Sequence, residues 1–138
     1  MPAEGPVDPE GVPAALGGYA HGFAVPPGAG LLFISGQIPV DIDGATPVGF
    51  EAQCRQVWRN VLHGLSAAGL GIEHLVKVTT FLSSREHAAI NGQVRREVLG
   101  THRPALTVVI AEIFDPDWLL EVEAVAQVPP NRDDPSTP

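Results

Sequence analysis

A single apolar stripe at helical spacing constrains the fold of this chain more than any other feature of its sequence. Apolar side chains recur every three or four residues through 48–68, and Gly69 follows where a helix commonly ends. The stripe consists of Phe50, Cys54, Val57, Val61, Leu65 and Ala68. Such a helix gains most of its stability when the stripe is buried, so the sequence predicts a helix lying on another layer.

A second helix and five strands are predicted from shorter patterns. Ser83 and Glu86 have the spacing of a capping box, which predicts a helix over about 84–99. Its buried face is expected to consist of Ile90, Val94 and Val98. Apolar or β-branched runs typical of strands lie at 19–25, 31–35, 75–82, 106–112 and 119–127. We expect the first two strands to form a hairpin and the last two to pair, which gives an α+β fold with two helices on one face of a mixed sheet.

Length and composition indicate one globular domain that does not bind polyanions. The 138 residues suit a single domain over 15–128, with a flexible segment at 1–14 and a disordered tail at 129–138. The net charge of −8 disfavours nucleic acid and anionic membranes as partners. Because no run of membrane length and no signal-like start is present, we expect a cytoplasmic protein.

Cysteine and histidine usage gives no sign of a metal site. Cys54 is the single cysteine, and its place on the apolar stripe is most simply that of a core residue. The five histidines do not lie at metal-ligand spacing from one another or from a cysteine. We therefore expect neither a metal nor another cofactor.

The strands carry more apolar surface than two helices can cover. This surface includes Ile34, Val76, Val78, Val108 and Ile110. Association of several copies through the sheet would bury it, so we predict a homo-oligomer.

Two acidic residues and one glycine could carry chemistry. Glu121 and Glu123 are two apart on a predicted strand, so their side chains project from the same face. A solvated edge would give them no role, whereas a cleft between subunits would partly desolvate a carboxylate and suit it to proton transfer. Ser35 and Gly36 end another strand, where glycine either lets a ligand approach the backbone or simply forms a turn.

These segments together resemble the RidA (YjgF) family of enamine and imine deaminases, over about 15–127. The motifs that carry the resemblance are Leu16-Gly17-Gly18-Tyr19, Phe33-Ile34-Ser35-Gly36-Gln37-Ile38-Pro39-Val40, Gln53-x-x-Gln56-x-x-x-Asn60, Ala67-Ala68-Gly69, Val76-Lys77-Val78-Thr79-Thr80-Phe81, Asn91, Pro104-Ala105 and Glu121-Val122-Glu123-Ala124-Val125-Ala126. The resemblance implies a chorismate-mutase-like α+β subunit with a mixed six-stranded sheet. It also implies a homotrimer with a cleft between neighbouring copies.

The resemblance further implies a substrate and a set of site residues. Members of the family hydrolyse small 2-imino or 2-amino-acrylate acids to a 2-oxo acid and ammonia. Glu121 matches the glutamate that orients or activates water. The pocket would be lined by the residues that match Tyr19, Ser35, Gly36 and Asn91, and by the strand at Thr107 and Val108.

One departure from the family lies at its most diagnostic position. The family has an arginine directly after Pro-Ala that clamps the substrate carboxylate, and this chain has Leu106 there. Leucine offers neither charge nor hydrogen-bond donors. Leu106 would therefore form the floor of a pocket that is more apolar than one with an arginine at this position. Arg103 is the candidate for a displaced anchor, and Gly18 stands where the family commonly has proline.

The sequence leaves three functions open. The first is a RidA-like hydrolase or deaminase that cleaves a C–N bond of a small metabolite in an inter-subunit cleft, with specificity altered by Leu106. The second is a trimer that binds or senses a small molecule without catalysis. The third is an endoribonuclease, which comes only from descriptions of some relatives and which the net charge of −8 disfavours.

Overall fold

Residues 3–130, the part of the chain described by this computed structural model, contain six strands, two α-helices and two 3₁₀ helices of three residues each, Ile72–His74 and Arg85–His87. The strands are β1 (Gly5–Val7), β2 (Gly22–Ala24), β3 (Gly30–Gln37), β4 (Leu75–Leu82), β5 (Ala105–Ile110) and β6 (Leu120–Val128). The helices are α1 (Phe50–Ala67) and α2 (Ala88–Leu99). The prediction of an α+β fold with two helices is confirmed.

The strands are divided between two sheets rather than joined in one six-stranded sheet. Four of them form a mixed sheet in the order β3-β6-β4-β5, in which β4 and β5 are parallel and the other neighbours are antiparallel. β1 and β2 form a separate antiparallel pair. A parallel bridge between Ala20 and Ala105 ties the chain before β2 to the edge of the larger sheet.

The helices lie on one face of the four-stranded sheet, as predicted. α1 packs on β3 and β6 and against α2, and both helices share one core with the inward side chains of β4 and β6. We call the covered side the helix face. The opposite side is the open face, which carries Leu31, Phe33, Lys77, Thr79, Phe81, Glu121 and Glu123. The alternation along β6 confirms that both glutamates project from the same side.

The predicted hairpin between the first two strands is wrong. β2 pairs with β1, and β3 pairs with β6 from Gly30 to Gln37. Pro26 and Pro27 lie between β2 and β3 and have no backbone N–H to donate to a ladder. The 8-residue β3 is matched instead by the 9-residue β6, which satisfies the backbone groups along its length.

The predicted pairing of the last two strands is also wrong, because β4 lies between β5 and β6. β5 follows β4 through α2, and a helical connection of this kind allows the two strands to run parallel. β6 then pairs antiparallel with both β3 and β4, where its apolar side chains are most deeply buried.

The second helix turns a different face inward than the apolar spacing predicted. Its buried residues are Asn91, Gly92, Val94, Arg95 and Leu99. Ile90, which was expected in the core, is 37% exposed. Two polar side chains are buried because each finds a partner, Cys54 for Asn91 and the Gly17 carbonyl for Arg95.

Smaller differences concern the ends of elements. Ser84 rather than Ser83 accepts a hydrogen bond from the amide of Glu86, at 3.3 Å. β1 lies in the segment 1–14, where the sequence pattern predicted no strand. The predicted tail at 129–138 lies outside the described residues from 131 onward. Within residues 3–130, none of the helices combines the length and the apolar character that a membrane crossing requires.

The apolar residues that the structure leaves exposed on the strands differ in part from those that the sequence predicted. Three of the five predicted residues, Ile34, Val76 and Val78, are buried within the single subunit. Val108 and Ile110, on the edge strand β5, remain partly exposed. Leu31 and Phe33 on the open face are 50% and 74% exposed, so this face offers apolar surface that the sequence analysis did not name.

Candidate active site

A β-bulge brings the backbone of β3 against a carboxylate of β6. The register between the two strands shifts between Ile34 and Gln37, so Ser35 and Gly36 together lie across from one residue of β6. A Cβ added to Gly36 would lie 2.8 Å from Cδ of Glu121, so glycine leaves the room that this side chain occupies. Bulges of this kind often lie beside active sites, where they redirect side chains.

The carboxylate of Glu121 borders an open groove of about 530 Å³ on the open face. The groove is lined by Phe81, Ala111, Glu112, Ile113, Phe114, Glu121 and Glu123. Glu121 is half-buried and Glu123 is exposed, and the ion pairs within residues 3–130 include neither of them. A carboxylate placed in this way can accept a proton from a water molecule in the groove.

Ser35 lies in a neighbouring depression of the same face. This depression has a volume of about 380 Å³ and is lined by Phe33, Ile34, Ser35, Lys77, Thr79, Glu123, Ala124 and Val125. Lys77 donates a hydrogen bond from Nζ to Oγ1 of Thr107 at 2.6 Å, which places Thr107 on the open face as well. The open face therefore collects four of the predicted site residues: Ser35, Gly36, Thr107 and Glu121.

Side-chain amides of α1 hold the chain at both ends of the site. Gln53 is buried, donates to the carbonyls of Pro47 and Asp117 at 3.1 Å each, and accepts from the Leu119 amide at 2.8 Å. These bonds fix the turn that leads into β6. Asn60 donates to two backbone carbonyls that follow the bulge, at 3.0 Å each. The Gln53–Asn60 spacing seen in the sequence is therefore structural, and it positions the strands that carry the site.

We expect Gly36→Ala to slow any reaction that depends on Glu121 by about 10- to 100-fold, because the new methyl group displaces the carboxylate. The displaced group is the end of a flexible side chain, so the free energy of unfolding should change by less than about 1 kcal/mol. Gly64→Ala in α1 is the matched control, since its Cβ would make an ordinary contact of 3.8 Å with Ile34. The control should keep full activity and gain about 0.5–1 kcal/mol of stability in urea unfolding. Full activity in both variants would contradict the proposed position of the carboxylate.

The remaining predicted pocket residues lie on the helix face or beside α2. Leu106 is in register with the buried Val78 and packs against the core. Asn91 is 2% exposed, and its Oδ1 lies 4.0 Å from the thiol of Cys54. Val108 is 40% exposed and, two residues after Leu106 on β5, it points to the same face. In a single subunit these residues lie on the opposite side of the sheet from Glu121.

Neither the thiol of Cys54 nor the guanidinium group of Arg103 is free to act on a substrate in the single subunit. Burial raises the pKa of the Cys54 thiol to about 12, so it stays neutral in the core and is not a nucleophile. Arg103 donates to Asp8 at 2.9 Å, and this hydrogen bond lowers the pKa of the Asp8 carboxyl. The side chain suggested as a displaced anchor is thus bound to the segment after β1.

α2 contributes a buried cation that the sequence analysis did not single out. Arg95 is 7% exposed, and its Nη2 donates to the Gly17 carbonyl at 3.0 Å. Burial, and to a lesser extent the neighbouring Arg96, lower the pKa of Arg95. The sequence feature that could have predicted this buried arginine is the pair of consecutive arginines in a helix. Neighbouring helical residues point about 100° apart, so one of the two can face inward.

Comparison with known proteins identifies the family. The family model described as Endoribonuclease L-PSP matches residues 10–128, and the chain belongs to this family, the RidA (YjgF) family predicted from the sequence. Protein HMF1 of Saccharomyces cerevisiae is 34% identical over 122 residues, which cover 88% of this chain and 92% of that protein. The 2-iminobutanoate/2-iminopropanoate deaminase of Salmonella typhimurium is 33% identical over 121 residues, which cover 85% and 92%. A crystal structure of the Rid-family protein YyfB from Yersinia pestis has a TM-score of 0.78 over 88% of this chain and 96% of that one, and at 24% identity it shows the shared fold.

Proposed function

We propose that this chain hydrolyses the C–N bond of a small imine or enamine and releases ammonia. Membership of a family that includes a 2-iminobutanoate/2-iminopropanoate deaminase supports a role of this kind. The observation that carries the proposal is the Glu121 carboxylate, which lies in a groove beside Gly36 and outside the ion pairs of residues 3–130.

Hydrolysis of an imine needs one water molecule and one group that moves its protons. Glu121 takes a proton from the water as the water oxygen attacks the imine carbon and passes it to nitrogen, which gives a carbinolamine. The same carboxylate then takes the remaining hydroxyl proton and delivers it to nitrogen as the C–N bond breaks. The water oxygen becomes the carbonyl oxygen of the product, and nitrogen leaves as ammonia. The carboxylate is regenerated, so one side chain serves both steps. An enamine enters the same sequence after it tautomerises to the imine, with one proton added to its carbon and one lost from its nitrogen.

A second copy of the chain completes the site in this proposal. Tyr19 and Leu106 lie with α2 and the helix face, whereas Gly36 and Glu121 belong to the open face, so one small substrate cannot contact both groups within a subunit. Burial of the exposed Phe33 and its neighbours would stabilise an assembly. We propose a homotrimer with a cleft between neighbouring copies. Sedimentation velocity should give a species three times heavier than the 14.5 kDa chain, and a single 14.5 kDa species would contradict this proposal.

Leu106 sets the specificity that we propose for the cleft. Its side chain packs partly against the core and presents no charge or donor to a substrate. The pocket floor at this position therefore favours apolar substrate groups. We propose that specificity differs for this reason from that of relatives with an arginine at the matching position.

Ammonia release from a panel of imines generated in solution tests the proposed reaction. The full chain should accelerate release from at least one small imine above the spontaneous rate. The panel should include both fully apolar imines and imines with a carboxylate. Because Leu106 makes the pocket floor apolar, we expect the rates with these imines to follow a different order from the rates of the Salmonella typhimurium relative. Rates equal to the spontaneous rate throughout the panel would contradict the proposal.

The absence of a charged side chain at Leu106 also favours a second function, in which the trimer binds a small molecule without catalysis. Calorimetric titration with small 2-oxo acids distinguishes the two functions. Binding together with ammonia release supports the hydrolase, whereas binding with spontaneous rates throughout the imine panel supports the non-catalytic trimer.

A further inference from the structure

Two arginines of α2 converge on the loop that carries Tyr19. Nη2 of Arg95 lies 3.5 Å from the position of a Cβ built on Gly17, and the Tyr19 ring lies 3.9 Å from the same point. A Cβ on Gly92 would meet Nη1 of Arg96 at 2.9 Å and Nη2 of Arg95 at 3.9 Å. Both guanidinium groups therefore reach the same point above Gly92, where the absence of a side chain leaves them room.

These two cations have no counter-charge in the described part of the chain. The ion pairs within residues 3–130 engage Arg55 and Arg103 but neither Arg95 nor Arg96. Nε of Arg95 is buried and lacks a hydrogen-bond partner. Burying an arginine without an acidic partner is costly, and a second arginine beside it adds repulsion. An anion bound between them would offset both costs.

The loop over the two arginines also has a conformation that glycine makes possible. Gly17 and Gly18 have φ values of 111° and 80°, in the left-handed region that proline cannot adopt and other residues rarely do. This conformation directs the Gly17 carbonyl to Arg95 and places Gly18 beside the Arg96 side chain, whose Cγ lies 3.4 Å from the position of a Cβ built on Gly18. The glycine pair thus holds Tyr19 and both guanidinium groups together.

We infer that Arg95 and Arg96 form an anion site beside Tyr19 that binds the carboxylate of a small 2-oxo or 2-imino acid. Guanidinium groups bind carboxylates through paired, charge-assisted hydrogen bonds, and Nη1 of Arg96 and Nη2 of Arg95 both lie beside Gly92. The inference rests on the proposed function, because it supplies from α2 the charge that Leu106 does not supply from β5. It also narrows the substrate class to acids, with their apolar portion on the Leu106 side.

Calorimetric titration of the full chain with 2-oxobutanoate and with its neutral amide tests this inference. The wild type should bind the acid more tightly than the amide. Arg96→Gln, a change at an exposed position, should weaken binding of the acid by about 10- to 100-fold and leave binding of the amide nearly unchanged. Arg95→Lys keeps the charge but loses the planar fork, so it should also weaken binding of the acid. Arg59→Gln is the matched control, because Arg59 is an exposed arginine of α1 whose side chain donates a hydrogen bond to Gln56. This variant should bind both probes as the wild type does.

The outcomes separate the inference from the proposed function. Wild-type affinity for the acid in both Arg95→Lys and Arg96→Gln, or no binding of the acid by the wild type, would overturn the anion site. Equal weakening of the acid and the amide would also overturn it, because that result indicates a structural role. Loss of acid binding in the arginine variants together with spontaneous ammonia release in the wild type would support the anion site and contradict the hydrolase.

Discussion

Replacing Glu121 with glutamine is expected to slow ammonia release from a small imine by about 10²- to 10⁴-fold, the usual contribution of a general acid–base group. Glutamine keeps the size of the side chain and its place beside Gly36, but it cannot take a proton from water. Because the change is isosteric, the free energy of unfolding should change by less than about 1 kcal/mol. Initial rates of ammonia formation and urea unfolding of the same preparations measure both quantities.

Glu123→Gln is the matched control for this prediction. Glu123 lies two residues further along β6, on the same face and in the same groove, but it is exposed, and the three atoms nearest to a Cβ built on Gly36 all belong to Glu121. Its replacement removes the same charge from the same surface. We expect the rate to change by less than about tenfold, on the scale of a surface electrostatic effect. Equal rates in the wild type and Glu121→Gln would remove this carboxylate from the mechanism.

Leu65→Ala is expected to lower the free energy of unfolding by about 2–5 kcal/mol, the usual cost of a leucine truncation in a core. Leu65 is completely buried in α1, in the core that both helices share with β4 and β6. The loss is a large part of the roughly 5–15 kcal/mol that stabilises a domain. Urea unfolding at one fixed protein concentration measures it, since the stability of an oligomer depends on concentration.

Leu62→Ala in the same helix separates burial from helix formation. Leu62 is 36% exposed, and alanine forms helices at least as well as leucine, so we expect a change of less than about 1 kcal/mol. Both variants make the same chemical change within one turn of α1. A similar loss of stability in the two variants would contradict the position of the core.

The proposals for β5 and α2 concern one chemical need, the binding of a substrate carboxylate. Leu106 leaves β5 without a cation, and Arg103 is paired with Asp8. Arg95 and Arg96 are unpaired within residues 3–130 and lie beside Tyr19. In these proposals the chain would bind the acid group of its substrate from a helix instead of a strand.

Strand pairing was the part of the fold that sequence patterns predicted least well. The run at 31–35 was correctly predicted as a strand, but its partner is β6, about a hundred residues later in the chain. The run at 106–112 was placed beside β6, whereas it is the edge strand beside β4. Apolar alternation specifies that a segment is a strand and which side is buried, but it carries no information on which other strand supplies the hydrogen bonds.

The sequence by itself determined the family, both helices, the alternation that places Glu121 and Glu123 on the same face, and the uncharged Leu106 directly after Pro104 and Ala105. These features depend on motifs and periods within short segments, which local chemistry specifies. The tertiary structure alone decided the strand order, the contact between Gly36 and Glu121, and the burial of Arg95 against a carbonyl 78 residues away. Such contacts join distant segments, and they form because the helices, the sheet and the buried polar groups must all be satisfied together.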